Sequence, residues 1–226
     1  MEIIVGASTQ AAAELAARWM ARRIRSAVRL RGTCSLAVSG GGTPNSMFDV
    51  LATMDLPWKQ VHLFQVDERI APDSDSDRNA TDLEEHLVRH VSIPKRNVHL
   101  MPVTAVSAER AAARYAASVG SAPLDIVHLG VGDDGHTASW PPGDPVVDNA
   151  SPVAVTDVFN GRKRMTLTPS VVNGARARML LAVGKSKAGP LADWVTSRGD
   201  LPINRVKRTS TTLIVDSAAA AKLLRR

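Results

Sequence analysis

The stretch Leu124–Pro145, LDIVHLGVGDDGHTASWPPGDP, decides how the rest of this chain folds. Its apolar run Ile126–Leu129 predicts a short buried strand. Glycines at positions 130, 132 and 135 follow, and they allow the backbone to turn tightly and to approach a ligand closely. His136 ends this turn, one residue after the pair Asp133 and Asp134. A histidine on a glycine-rich loop that leaves a strand is typical of the edge at which α/β proteins carry out chemistry.

On both sides of this stretch, apolar runs typical of strands alternate with amphipathic runs typical of helices. Strands are predicted at Glu2–Val5, Cys34–Val38, Gln60–Val66, Val98–Met101, Ile126–Leu129, Arg178–Val183 and Thr211–Val215, and helices at Thr9–Arg29, Asn45–Thr53, Asn79–His90, Ser107–Val119, Ser186–Ser197 and Ser217–Leu224. Two more short strands, Val153–Thr156 and Arg164–Leu167, are expected to pair across Asn160-Gly161. The pattern predicts an α/β fold with a doubly wound, mostly parallel sheet, helices on both faces (Rossmann-like) and a small antiparallel excursion. No linker-like stretch divides residues 1–226, so we expect a single domain.

Three of the predicted strands end in unusual loops. They are Ser39–Pro44 (SGGGTP), Asp67–Asn79 (DERIAPDSDSDRN) and the loop from Gly130 to His136. Ligands of open α/β sheets bind outside the carboxyl ends of the strands. If the three strands are parallel, their loops should meet in one crevice.

The composition limits the classes of partner. A net charge of +6 would suit a nucleic acid, but aromatic residues make up only 4% of the chain, so few rings could stack on bases. The arginine cluster on the first predicted helix reads as a solvated face, and we expect no nucleic-acid partner. Its members are Arg22, Arg23, Arg25, Arg29 and Arg31. No long apolar segment predicts a membrane span, and the single Cys34, in an apolar run, suits a reducing, cytoplasmic location.

The loop Ser39–Pro44 offers consecutive backbone N–H groups and a helix start. This arrangement favours phosphate or another anion over a simple tight turn, and the loop lacks the lysine of a nucleotide-binding P-loop. Ser39 also resembles a degenerate nucleophile elbow, which we disfavour because one elbow glycine is missing. The run GVGDDG at 130–135 matches a dinucleotide fingerprint. Prolines beyond it prevent the long helix which that fingerprint requires, and two aspartates would repel a pyrophosphate.

Two patterns that resemble metal sites are incomplete, and we expect no metal. The acidic residues of the second loop fit a calcium loop except that Arg78 stands where glycine is needed, so a solvated acidic loop is the better interpretation. His86 and His90 lack the glutamate of a zinc HExxH motif. His128, in an apolar strand, is expected to be a hydrogen-bonded core histidine. For His136 two interpretations stay open: a loop histidine bonded to backbone, or a general base beside two carboxylates.

Five segments in chain order resemble the 6-phosphogluconolactonase family. They are Ser39–Pro44, Asp67–Arg69, Gly130–Ser139, Arg164–Thr168 and Gly184–Ala188. The resemblance implies a Rossmann-like enzyme that needs no cofactor and hydrolyses the lactone of 6-phosphogluconate, in the oxidative pentose phosphate pathway. Glucosamine-6-phosphate deaminases share this fold, but they carry tyrosine at the position of Arg69 and a Glu-Pro pair where this chain has Trp140-Pro141-Pro142. A non-catalytic sugar-phosphate-binding module is the third alternative.

The resemblance also implies which residues form the site. His136 would be the general base, assisted by Asp134, although Asp133 stays open for that role. Arg69 would contact the substrate, and the other members would line the pocket: Gly40, Gly41, Gly42, Thr43, Asp67, Asn79, Arg164 and Lys187, with Arg78 as an additional cation and Lys185 as an alternative to Lys187. The partner implied is a phosphorylated sugar lactone, and the chain would be a monomer or a small homo-oligomer.

Overall fold

A computed structural model describes residues 1–73 and 75–223 of the chain. Its strands are β1 (Glu2–Gly6), β2 (Cys34–Val38), β3 (Val61–Gln65), β4 (Asp67–Arg69), β5 (Val98–His99), β6 (Ile126–Leu129), β7 (Val153–Val155), β8 (Arg164–Leu167), β9 (Ala177–Ala182) and β10 (Thr211–Asp216). Its α-helices are α1 (Thr9–Arg31), α2 (Gly42–Ala52), α3 (Asn79–His86), α4 (Ala108–Val119), α5 (Pro169–Gly174) and α6 (Ala188–Thr196). Short 3₁₀ turns connect several of them.

Seven strands form a parallel sheet in the order β1-β10-β9-β6-β2-β3-β5. From β2 the chain proceeds outward to β3 and β5, and then returns to place β6 on the other side of β2. The strand order therefore reverses between β2 and β6, where doubly wound sheets open a crevice for ligands. The predicted α/β class, the mostly parallel sheet and the helices on both faces are confirmed.

Two apolar cores cover the two faces of this sheet. One lies beneath α1 and α2 and includes Trp19, Met20 and Phe48. The other lies beneath α4 and α6 and includes Tyr115 and Trp194. Strands β2, β6 and β9 contribute side chains to both cores, so apolar residues lie on both of their faces and do not alternate with polar ones, as expected for a sheet that is buried on both sides.

A second sheet of three antiparallel strands, in the order β4-β8-β7, confirms the antiparallel excursion and corrects one prediction. Asp67–Arg69 was expected to be part of a loop, but it forms β4 and pairs with β8. Val66 makes this possible, because it bonds the end of β2 through its N–H and β8 through its carbonyl oxygen. The DER segment is thus held rigidly next to the crevice.

Four predicted helices differ from the observed ones. The helix expected over Asn45–Thr53 begins three residues earlier, at Gly42. The helix expected over 79–90 ends at His86, because Leu87 leaves helical dihedrals (φ −135°) and is fully buried. The helix expected from Ser186 begins at Ala188, after a 3₁₀ turn. The closing helix expected over 217–224 is only a 3₁₀ turn at Ala219–Lys222, and its last predicted residue, Leu224, lies outside the described residues.

Candidate active site

A cavity of about 210 Å³ lies at the carboxyl ends of the parallel strands β2, β6 and β9, next to β4 and β8 of the small sheet. Residues of all three predicted loops, those after β2, β3 and β6, line it. Ten of the twelve predicted site residues line it: Gly40, Gly41, Gly42, Thr43, Asp67, Arg69, Asn79, His136, Arg164 and Lys187. The other two do not line it: Asp134 contacts His136, and Arg78 contacts Glu68 and Asp73.

His136 and Asp134 form a hydrogen-bonded pair at one side of the cavity. Nδ1 of His136 lies 2.6 Å from Oδ1 of Asp134, which also accepts the backbone N–H of His136 at 3.1 Å. Partial burial raises the pKa of Asp134, but these hydrogen bonds outweigh it and the net shift is downward, so the carboxylate is ionised. In the neutral imidazole, a carboxylate at Nδ1 places the single ring proton there and leaves Nε2 of His136 as the acceptor.

Glycine at position 132 is what allows the His136 ring to lie where it does. A Cβ at this position would come within 2.0 Å of the His136 Nδ1 atom. The Gly132 N–H also donates to the carbonyl oxygen of His136 at 2.7 Å, which closes the turn. No helix follows this turn before a 3₁₀ segment at Pro145–Asp148. The glycines therefore serve the histidine, and the rejected dinucleotide fingerprint lacks its helix here.

Asp133 takes a different partner from Asp134, which is the carboxylate that bonds the His136 ring. Asp133 pairs with the ammonium of Lys187. Hydrogen bonds from Lys187 and from Ser186 lower the pKa of Asp133. Lys187 lines the cavity, whereas Lys185 is exposed and lies outside it. The pair thus fixes Lys187 at the cavity wall next to the loop that carries His136.

Two arginines face each other across the small sheet. Arg69 of β4 and Arg164 of β8 are direct partners in the antiparallel register, and both line the cavity. Burial and then the charge of Arg69 lower the pKa of Arg164, and its Nε atom has no hydrogen-bond partner in the described chain. Like charges directly opposite each other destabilise a sheet. An anion bound between them would remove this repulsion.

The glycine loop supplies the third group of anion-binding elements. Helix α2 begins at Gly42, and its N-cap Gly41 has φ +116° and no side-chain cap. The first N–H groups of α2 therefore have no side-chain cap, and the residues that carry them, Gly42 and Thr43, line the cavity. Negative charge is favoured at such a helix start. Asn79 connects this loop to Arg69: it accepts a hydrogen bond from Arg69 and would clash with a Cβ at Gly40.

Asp67 is the one carboxylate that lines the cavity among the predicted residues. Its Oδ2 atom accepts a hydrogen bond of 2.7 Å from Ser139 Oγ. Burial raises the pKa of Asp67, and the bond from Ser139 and the charges of Arg69 and Arg164 only partly oppose this. Asp67 thus brings a buried carboxyl group to the cavity wall beside the two arginines.

Arg78 is a correction to the predicted site. Its side chain is buried, pairs with Asp73 and has Nε 3.5 Å from Oε2 of Glu68, and it is absent from the cavity lining of the described residues. The sequence missed Glu68 itself. Its buried carboxylate accepts N–H groups from Gln65, Arg69, Asn79 and Ala80, each at 2.8 Å. Arg78 therefore neutralises the carboxylate that joins β4 to the start of α3.

Other predicted features lie away from the cavity. His86 bonds Asp49 and His90 bonds the Glu85 carbonyl, so the two do not form a pair. Across residues 1–73 and 75–223, three or more metal-ligating side chains do not gather in one place. The interpretation of His128 as hydrogen-bonded is wrong: it is fully buried in β6, and neither ring nitrogen has a partner within the described part of the chain. Burial lowers its pKa to about 3.

A known protein family matches nearly the whole chain. Residues 7–215 match the family model described as glucosamine-6-phosphate isomerases/6-phosphogluconolactonase. The chain belongs to this family. The resemblance read from five segments of sequence is thereby confirmed. Within the described ranges no helix is long and apolar enough to cross a membrane.

Named relatives within the family point the same way. A 6-phosphogluconolactonase of Synechocystis sp. is 33% identical over 187 residues, covering 79% of this chain and 78% of that protein. The GDH/6PGL endoplasmic bifunctional protein of Oryctolagus cuniculus is 37% identical over 174 residues, covering 71% of this chain; the match spans only 22% of that longer protein. The solved 6-phosphogluconolactonase of Trypanosoma cruzi is 27% identical, with a TM-score of 0.87 over 99% of this chain and 97% of that one.

Proposed function

We propose that this protein hydrolyses 6-phosphoglucono-δ-lactone to 6-phosphogluconate, the reaction of the oxidative pentose phosphate pathway. The observation that carries the proposal is the cavity itself, which combines a carboxylate-oriented histidine with two facing arginines and an uncapped helix N-terminus. A phosphorylated sugar lactone needs both the anion-binding groups and the histidine, because its phosphate must be bound while water attacks its lactone carbonyl.

The phosphate end of the substrate is assigned to the glycine loop and the arginines. Arginine can bind a phosphate oxygen pair bidentately, and a dianion between Arg69 and Arg164 would offset both the burial of Arg164 and the repulsion from Arg69, which lower the pKa of Arg164 in that order. The first N–H groups of α2 would supply further donors. Asn79 would hold the phosphate-binding groups in place, since it accepts a hydrogen bond from Arg69 and its side chain lies next to Gly40.

The chemical step is assigned to His136. Its free Nε2 would take a proton from water as the water oxygen attacks the lactone carbonyl carbon. Asp134 holds Nδ1 and stabilises the imidazolium that results. The bond from the carbonyl carbon to the ring oxygen then breaks, and the imidazolium returns the proton to that oxygen. The negative charge that develops on the carbonyl oxygen needs a cation or N–H donor, for which Lys187 and the cavity arginines are the candidates.

The proposed mechanism uses only side chains and water, and that no cofactor or metal takes part stays a prediction. A cytosolic site of action is proposed on the strength of Cys34, which is buried and unpaired in the described chain. Organisation as one domain over 1–226, as a monomer or small homo-oligomer without a nucleic-acid partner, stays a prediction. No feature of the cavity favours the deaminase or the non-catalytic alternative.

The proposal is tested with a coupled assay that generates the lactone freshly and follows 6-phosphogluconate through its NADP-dependent oxidation. Spontaneous hydrolysis is measured without protein and subtracted. We expect the protein to accelerate hydrolysis and His136→Ala to abolish most of that acceleration. Ammonia release from glucosamine 6-phosphate, measured on the same preparation, should stay at background. Acceleration that is absent, or ammonia that appears instead, would refute the lactonase proposal.

A further inference from the structure

The hairpin between β7 and β8 brings an aromatic ring to the site that the sequence did not single out. Asn160 and Gly161 both have positive φ (51° and 78°), which is the type I′ turn that closes a tight hairpin. Phe159 and Arg162 flank this turn and exchange backbone hydrogen bonds of 2.9 and 3.3 Å. The two side chains are thus fixed as a directly opposed pair at the hairpin tip.

The ring of Phe159 contacts the side chains of both His136 and Arg164. Its ring centroid lies 5.3 Å from that of His136, in an edge-to-face arrangement with an interplanar angle of 71°. The guanidinium carbon of Arg164 lies 5.1 Å from the same ring, in a cation–π contact. Phe159 does not line the cavity in the described residues, so it supports these two side chains from outside the space that a substrate would occupy.

Arg164 needs such support when no anion is bound. Its neighbour Arg69 repels it, and its Nε atom has no hydrogen-bond partner in the range 1–73 and 75–223. The negative face of an aromatic ring attracts a guanidinium and would keep it from turning away from Arg69. His136 is already oriented by Asp134 through Nδ1, and contact with Phe159 restrains the remaining rotation of the ring about that hydrogen bond.

Arg162 anchors the hairpin that carries this ring. Its guanidinium lies 3.0 Å from Oδ2 of Asp75 and 3.4 Å from Oδ2 of Asp77. A backbone hydrogen bond from Ile70 to the carbonyl of Lys163 joins the same two segments. The loop after β4 was expected to be merely solvated, but its carboxylates hold the hairpin in place. The hairpin tip is therefore tied to the strand that carries Arg69.

We propose that Phe159 is a positioning residue for the reaction: its ring fixes the His136 imidazole and the Arg164 guanidinium in one arrangement, and Arg162 fixes the hairpin. This inference rests on the proposed function and deepens it, because it couples the phosphate end of the site to the base. A merely structural role is less consistent with a half-exposed side chain at a hairpin tip, outside the two cores.

The test compares kcat and KM for the lactone in wild type, Phe159→Leu and Phe159→Tyr. Leucine keeps an apolar side chain but removes the ring, so KM should rise about 5- to 10-fold and kcat should fall by a smaller factor. Tyrosine keeps the ring and should restore both constants to within about twofold. Arg162→Ala, which leaves the ring but frees the hairpin, should raise KM about threefold.

Val158→Ala is the matched control, since Val158 precedes Phe159 on the same hairpin and is 66% exposed. It should leave both constants unchanged, and thermal melting should show that every variant folds. Kd for inorganic phosphate, measured by calorimetry, should weaken in Phe159→Leu and recover in Phe159→Tyr even if the lactone is not turned over. If the wild type does not hydrolyse the lactone, the proposed function is refuted, and the phosphate Kd values of the two Phe159 variants then decide whether the ring positions Arg164. Equal constants for leucine and wild type, or a tyrosine variant as impaired as leucine, would overturn it.

Discussion

Two histidines eight positions apart, one within β6 and one on the loop that leaves it, show how environment assigns a side chain its role. His128 is fully buried, touches the edge of Phe48 and has no hydrogen-bond partner within the described ranges, so burial lowers its pKa to about 3. His136 is about 29% exposed and carries an ionised carboxylate on Nδ1. His128 is therefore a neutral side chain that packs in the core, whereas His136 has the hydrogen bond that a general base needs. The same strand positions both, and only the glycine-rich turn separates their environments.

Replacement of His136 by alanine should have the largest effect on activity. The variant loses the group that takes the proton from water, so kcat should fall about 10²- to 10⁴-fold. The free energy of unfolding should change little, because the side chain is partly exposed and outside the cores. His128→Leu is the matched control for the comparison and should keep most of the activity. Steady-state kinetics and urea unfolding of both variants check this; equal activity losses would contradict it.

Removal of the facing cations should come next. Arg69→Gln and Arg164→Gln each delete a guanidinium that we assign to the phosphate, so KM should rise roughly 10- to 100-fold with a smaller change in kcat. Lys185→Gln serves as the control, because Lys185 is exposed and outside the cavity. If both arginine variants keep the wild-type KM, the phosphate is bound elsewhere.

Asp134→Asn should cost less, about 10-fold in kcat. Asparagine can still accept the Nδ1 proton of His136 but carries no charge to stabilise the imidazolium. Asp133→Asn, which alters the partner of Lys187 and leaves the His136 hydrogen bond intact, is the comparison variant. A larger loss of kcat in Asp133→Asn than in Asp134→Asn would reverse the assignment of the two carboxylates.

The smallest effect on activity, and a distinct effect on stability, is expected from His128→Leu. The unfolded chain binds a proton at this histidine below pH about 6.5, whereas the folded protein does not until pH about 3. The folded state therefore loses stability as pH falls through that interval, by up to about 1.4 kcal/mol per pH unit. Leucine removes this contribution, and urea unfolding between pH 7 and pH 4 should show a flatter decline than in wild type. An unchanged slope would mean that His128 is protonated within the fold.

Much of the fold was accessible to sequence reasoning, for a physical reason. The central strands carry apolar residues on both faces, and a glycine-rich loop follows each of β2 and β6, so these two strands were predicted residue for residue. The convergence of three loops followed from the parallel topology alone. The strand Asp67–Arg69 was missed because three charged residues do not resemble a strand; their burial depends on partners that are distant in the chain.

The part of the site that lies on strand-end loops could be predicted from the sequence, and the rest could not. Residues on the strand-end loops could be named because topology brings such loops together. Arg78 was misplaced because the sequence does not reveal that Glu68, ten positions earlier, is a buried carboxylate in need of a positive partner. Phe159 escaped notice because a single aromatic residue in a hairpin carries no motif, and its role depends on two side chains from other segments.

The most direct test of the central claim, that one cavity holds a phosphate and a base together, is the ratio of kcat/KM for 6-phosphoglucono-δ-lactone to that for unphosphorylated glucono-δ-lactone. Wild type should prefer the phosphorylated substrate by at least roughly 10³-fold, because several charge-assisted hydrogen bonds depend on the phosphate. The double variant Arg69→Gln/Arg164→Gln should lose most of this preference while it retains slow hydrolysis through His136. A wild-type ratio near one, or a preference that survives loss of both arginines, would contradict the account.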